Sequence, residues 1–114
     1  MIHAAIPSTI APHLRLITER IVQQFQPLKI ILFGSYARGD ATTDSDLDLL
    51  IVMPSGTHKR QQAIAIGQAL ADVPISKDII VTTPEEIATY GQLVGTILRP
   101  ALREGTTLYE RATS

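Results

Sequence analysis

Two short apolar runs constrain this chain most. Leu28-Lys29-Ile30-Ile31-Leu32-Phe33 stops at Gly34, and the run from Asp46 to Met53 stops at Pro54-Ser55-Gly56. Runs of this length bounded by turn formers are too short for independent helices and read as strands, the first of them central in its sheet. Ile75 to Val81, rich in Ile and Val, supplies a third strand.

The segments between these runs carry a helical period. Ile10, Leu14, Ile17, Ile21 and Phe25 recur at three- and four-residue spacing, which predicts a helix capped by Ser8 or Thr9, with Pro12 in its first turn and Pro27 closing it. Residues 57–71 read as a second helix, and Ala63, Ile64, Ile66, Leu70 and Ala71 give it only a narrow apolar stripe. Thr83-Pro84-Glu85-Glu86 is the clearest helix start, with Thr83 as cap, Pro84 at the first position and Glu86 closing a capping box. A short helix over 97–104 ends at Gly105, and Thr106 to Glu110 adds a brief edge strand. The order predicts an α+β, or mixed α/β, fold: a small sheet flanked by helices, with residues 1–114 as one domain.

Composition removes several function classes. The formal charge is −1, from ten Lys and Arg against eleven Asp and Glu, and the basic residues are scattered except for Lys59-Arg60. Direct nucleic-acid binding is therefore not expected, since it draws on a basic stripe that displaces counterions from phosphates. With no cysteine, the chain has neither a disulfide framework nor a thiolate metal site. No signal peptide is expected, because Met1 to Pro7 lacks a basic start, and no apolar run reaches membrane-spanning length; the reading is cytoplasmic, with no membrane partner. His3, His13 and His58 are widely spaced and read as surface histidines. Tyr90 and Tyr109 read as packing aromatics, and Tyr36 as an interface residue.

Three features carry chemistry. Gly34-Ser35 directly follows a strand, and Tyr36-Ala37-Arg38 opens a helical turn; such a junction cradles phosphate, though an ordinary turn has the same appearance. Asp46 and Asp48 lie two apart at a strand start and so point to one side, about 7 Å from each other. Two carboxylates so placed repel unless a cation or several donors compensate, and magnesium takes oxygen ligands of this kind; a solvated strand end is the plain alternative. Asp78 is the only acid in an otherwise apolar strand. If that strand lies beside the second, three carboxylates can serve two metals about 4 Å apart; otherwise Asp78 pairs with Lys77 or faces solvent.

Together, Leu32-Phe33-Gly34-Ser35-Tyr36-Ala37-Arg38-Gly39-Asp40, Ser45-Asp46-Leu47-Asp48-Leu49-Leu50 and Lys77-Asp78-Ile79-Ile80-Val81-Thr82-Thr83-Pro84-Glu85-Glu86 resemble the minimal nucleotidyltransferases of the DNA polymerase β superfamily over nearly the whole chain. The resemblance implies a polymerase β-like nucleotidyltransferase fold. It also implies a nucleoside triphosphate resting on Gly34 and Ser35, two Mg2+ ions on Asp46, Asp48 and Asp78, and in-line transfer of a nucleoside monophosphate. Arg38 is the candidate for neutralising phosphate charge, and a surface ion pair explains it about as well. Tyr36 departs from the Arg, Lys or other polar residue that many relatives carry there.

Domains of this size resemble the antitoxin half of toxin–antitoxin modules whose partner is a HEPN-type ribonuclease. This implies transfer of AMP from ATP to a tyrosine of that toxin. The alternatives are a binding-only antitoxin, a transferase acting on a small-molecule hydroxyl, and a nucleic-acid polymerising enzyme, the last disfavoured by the charge balance.

Overall fold

The computed structural model describes residues 7–112. Its elements in order are α1 (Ala11–Phe25), β1 (Lys29–Phe33), α2 (Ser35–Arg38), β2 (Leu47–Val52), α3 (Lys59–Ala69), β3 (Lys77–Thr82), α4 (Pro84–Tyr90), α5 (Leu98–Glu104) and β4 (Thr106–Glu110). The four strands form one mixed sheet in the order β3-β2-β1-β4. β1 pairs antiparallel with both β2 and β4, while β2 and β3 run parallel. A parallel pair needs a crossover, and α3 provides it.

The two apolar runs occupy the middle of the sheet; the central place of the first was expected, and the second lies beside it. Alternation along them divides the interior in two. Ile30, Leu32, Leu47, Leu49 and Ile51 point to one face, where they meet Leu14, Ile17 and Ile21 of α1 and Ile66 of α3. Ile31, Phe33 and Leu50 point to the other face and meet Leu98 and Ala101 of α5. Edge strand β4 falls on the residues its sequence indicated.

Several local expectations are corrected. Ile10, not Ser8 or Thr9, is the residue before α1, and it makes no side-chain cap. Gln26, in a left-handed conformation (φ 53°), ends that helix by returning its N–H to the Val22 carbonyl, one residue before Pro27. Thr83 caps α4 by accepting from the Glu86 N–H, but the Glu86 carboxylate does not close a box: it accepts from the Thr82 hydroxyl at 2.5 Å and pairs with Lys59. A buried threonine hydroxyl and a charged lysine are stronger claims on that carboxylate than one neutral backbone N–H. Tyr36 is buried in the larger core rather than offered at an interface, and Tyr90 is exposed rather than packed. Tyr109 does pack against the core. His58 is exposed, His13 is half-buried, and His3 lies outside the described residues.

Candidate active site

β2 and β3 lie side by side, and their register sets Asp48 directly opposite Asp78. On the other flank Asp48 faces Phe33 of β1. Residues opposite one another across a ladder point to the same side, so Asp48 and Asp78 emerge together on the face covered by α5, from strands about 5 Å apart. Asp46 stands just before β2 and is exposed, whereas Asp48 is half-buried.

Gly34 ends β1 on this face with φ 76° and ψ −155°, a conformation that side chains rarely adopt. A second constraint acts there too: a Cβ on Gly34 would overlap the Asp48 carboxylate. Glycine is therefore required both by the turn and by the close approach of the carboxylate to the backbone. Ser35 and Arg38 follow in α2, whose first N–H groups lack intrahelical acceptors as at any helix start.

Gly34, Ser35, Arg38, Asp48 and Asp78 line one cleft of about 350 Å³. Its far wall is the α5 region, through Ile97, Pro100 and Glu104. Five of the six site residues read from the sequence thus share one cavity. The sixth, Asp46, lines a neighbouring cleft beside Ser76, yet lies near enough to act electrostatically on Asp48.

The Asp48 carboxyl is pushed above its ordinary value by burial, then by the negative charges of Asp78 and Asp46, with Arg38 opposing. Lys77 does not neutralise Asp78: its ammonium donates to the carbonyls of Ile75 (2.8 Å) and Val73 (3.0 Å). Arg38 makes an exposed ion pair with Asp40 at 3.4 Å, as the plainer alternative allowed, while also lining the cleft.

Hard oxygen donors whose mutual repulsion Arg38 offsets only in part suit a divalent cation, so the donor set fits magnesium. Among the described residues no three His, Cys, Asp or Glu side chains already converge at ligating spacing. Asp48 and Asp78 are neighbours on one face rather than part of a closed cage, an arrangement that suits magnesium held partly by substrate phosphates. Sequence reasoning missed Ile97, Pro100 and Glu104. A helix over 97–104 was readable from the sequence, but nothing local says that it roofs the acids.

Comparisons with known proteins bear on the family and the fold. The family model for the nucleotidyltransferase domain matches residues 14–99, a span that contains all six site residues. Two proteins of Methanocaldococcus jannaschii, each named "putative protein adenylyltransferase", align with the chain. One is 79% identical over 24 residues, covering 21% of this chain and only 24% of its own length. The other is 38% identical over 74 residues, covering 55% of this chain and 74% of its own length. A crystal structure from Sulfolobus solfataricus, described as a "putative nucleotidyltransferase", superposes with a TM-score of 0.64 at 21% identity, over 90% of this chain and 82% of that one, and supports the fold. No helix among the described residues is long and apolar enough to cross a membrane. The chain belongs to the nucleotidyltransferase domain family.

Proposed function

We propose that this protein transfers AMP from ATP to a tyrosine hydroxyl of a partner protein, a HEPN-type toxin that it thereby silences. The observation that carries the transferase chemistry is the register pairing of Asp48 with Asp78 against the bare Cα of Gly34. The relatives named as protein adenylyltransferases support AMP and a protein acceptor.

In this reading Gly34 lets the triphosphate approach the backbone closely, the Ser35 hydroxyl donates to a phosphate oxygen, and the Arg38 guanidinium offsets phosphate charge. Asp46, Asp48 and Asp78 would hold two Mg2+ ions, which supply charge neutralisation at the phosphates and a lowered pKa for the acceptor hydroxyl. The acceptor oxygen bonds to the α-phosphorus as the bond to pyrophosphate breaks. Asp78, the exposed member of the pair, takes the acceptor side and receives the hydroxyl proton. Alignment of acceptor oxygen, phosphorus and leaving group is the chain's largest contribution, since a two-substrate reaction becomes effectively unimolecular when both are held in line.

The test is the intact mass of a co-expressed HEPN-type partner after incubation with the purified protein, Mg2+ and each nucleoside triphosphate in turn. A gain of AMP units with ATP, lost in Asp46→Ala, is expected. No gain, with tight binding and neutralisation of the partner, would replace the enzyme with a binding-only antitoxin.

A further inference from the structure

Polar and charged side chains dominate the cleft, whereas the segment that leads into its α5 wall carries exposed apolar ones. Six large apolar side chains are exposed among the described residues, and four of them, Tyr90, Leu93, Val94 and Ile97, fall in the stretch from the end of α4 to the start of α5. Val94 is 82% exposed. Isolated exposed apolar residues are ordinary, whereas four within eight positions form a patch of the kind that meets a partner.

This patch runs into a groove of about 840 Å³ lined by Val94, Ile97, Arg99, Pro100, Arg103 and Glu104. Three of those residues, Ile97, Pro100 and Glu104, also line the cleft that holds Asp48 and Asp78. The groove and the candidate active site are therefore contiguous. Arg99 and Arg103 stand four apart on α5 and so share one side of that helix. The ion pairs among the described residues are Arg20–Asp72, Arg38–Asp40 and Lys59–Glu86, which leaves neither arginine paired there. A triphosphate would match the arginines but not Leu93 and Val94. A purely apolar partner would match the reverse.

We propose that the groove docks the acceptor polypeptide, as a segment in which apolar and acidic side chains flank the acceptor tyrosine. The acidic side chains meet Arg99 and Arg103, the apolar ones cover Leu93 and Val94, and the tyrosine reaches past Ile97 to Asp48 and Asp78. This inference rests on the transferase reading above and adds to it the chemistry of the acceptor sequence.

Three labelled synthetic peptides test it, each with one central tyrosine, flanked by Leu and Glu, by Leu and Lys, or by Ser and Gly. Binding is followed by fluorescence anisotropy, and AMP transfer with Mg2+ and ATP by mass. The Leu/Glu peptide is expected to bind and react about tenfold better than either other. The double variant Arg99→Glu/Arg103→Glu should reverse the preference toward the Leu/Lys peptide, and the uncharged Val94→Ser should weaken both Leu-containing peptides, each with ATP KM unchanged. Equal handling of the three peptides would overturn the inference. So would a loss of ATP affinity in the arginine variant that matches its loss of peptide affinity, which would assign the groove to phosphate. A wild-type dimer dissociated by Val94→Ser would give the surface to a second copy and also overturn it. Selective binding without transfer to any peptide would overturn the transferase reading alone and leave the docking surface standing.

Discussion

The two faces of the sheet are built from alternate residues of the same strands, yet they are packed very differently. Among the described residues, fourteen buried side chains form one continuous core under α1 and α3, and five lie under α5. β2 shows the division within six residues: Leu47, Leu49 and Ile51 point into the thick face, while Asp48 points with Leu50 into the thin one. The difference teaches that stability and chemistry are carried on opposite sides of one strand. The thin face can hold a half-buried carboxylate beside a second acid because the thick face offsets the cost.

The sharpest way to break this comparison is to change adjacent residues of β2. Asp48→Ala should lower nucleotidyl transfer roughly a thousandfold or more, because charge stabilisation at the phosphorus is worth several kcal/mol, while the urea midpoint stays level or rises. Leu49→Ala should do the opposite. It removes about 2–5 kcal/mol of stability by opening a cavity in the large core, read from the urea midpoint, with specific activity of the folded protein retained.

Gly34→Ala tests the junction between the faces. The new Cβ must displace the Asp48 carboxylate in a backbone conformation that costs about 1–3 kcal/mol for a side chain. Both transfer rate and unfolding midpoint should fall, and Asp48→Ala in the same chain should restore part of the midpoint but none of the rate.

A smaller effect is expected at Glu86. Burial alone would raise its pKa, but the Lys59 ion pair and the Thr82 hydroxyl outweigh burial and hold it below 4.5. A depressed folded pKa contributes stability that is present above the unfolded value and is lost as pH falls through the folded one. Glu86→Gln should therefore flatten the loss of stability below pH 4.5, measured as the urea midpoint across that range.

Much of the architecture was legible because patterning and punctuation agree. The strand runs end at Gly34 and Pro54, Thr83-Pro84 opens α4, and Thr106 to Glu110 forms the edge strand. Gly34-Ser35 was visible as a turn directly after an apolar strand, Asp46-x-Asp48 as paired acids at a strand start and Asp78 as the one acid inside a strand, and the pairing of β2 with β3 brings Asp78 to Asp48. What sequence could not show depends on long-range partners. Glu86 left its expected capping role because Lys59 and Thr82 reach it from elsewhere in the fold. Tyr36 was assigned to a surface by chemistry when the geometry of α2 turns it inward. Glu104 carries no local mark of its position opposite the aspartates, because that position is set by the packing of Leu98 and Ala101 on the sheet.

The central claim is that the acids on the thin face are a destabilising set relieved by a cation. The most direct measurement is the melting temperature of the wild type and of Asp48→Asn, each with and without Mg2+ and ATP. Asp48 has a raised folded pKa, so its charged form weakens the metal-free protein as pH rises through that pKa. At neutral pH the metal-free Asn variant should melt a few degrees higher than the wild type. Mg2+ with ATP should then raise the wild type well above its metal-free value and leave Asp48→Asn nearly unmoved. A metal-free variant no more stable than the wild type, together with equal shifts in both proteins, would contradict the account.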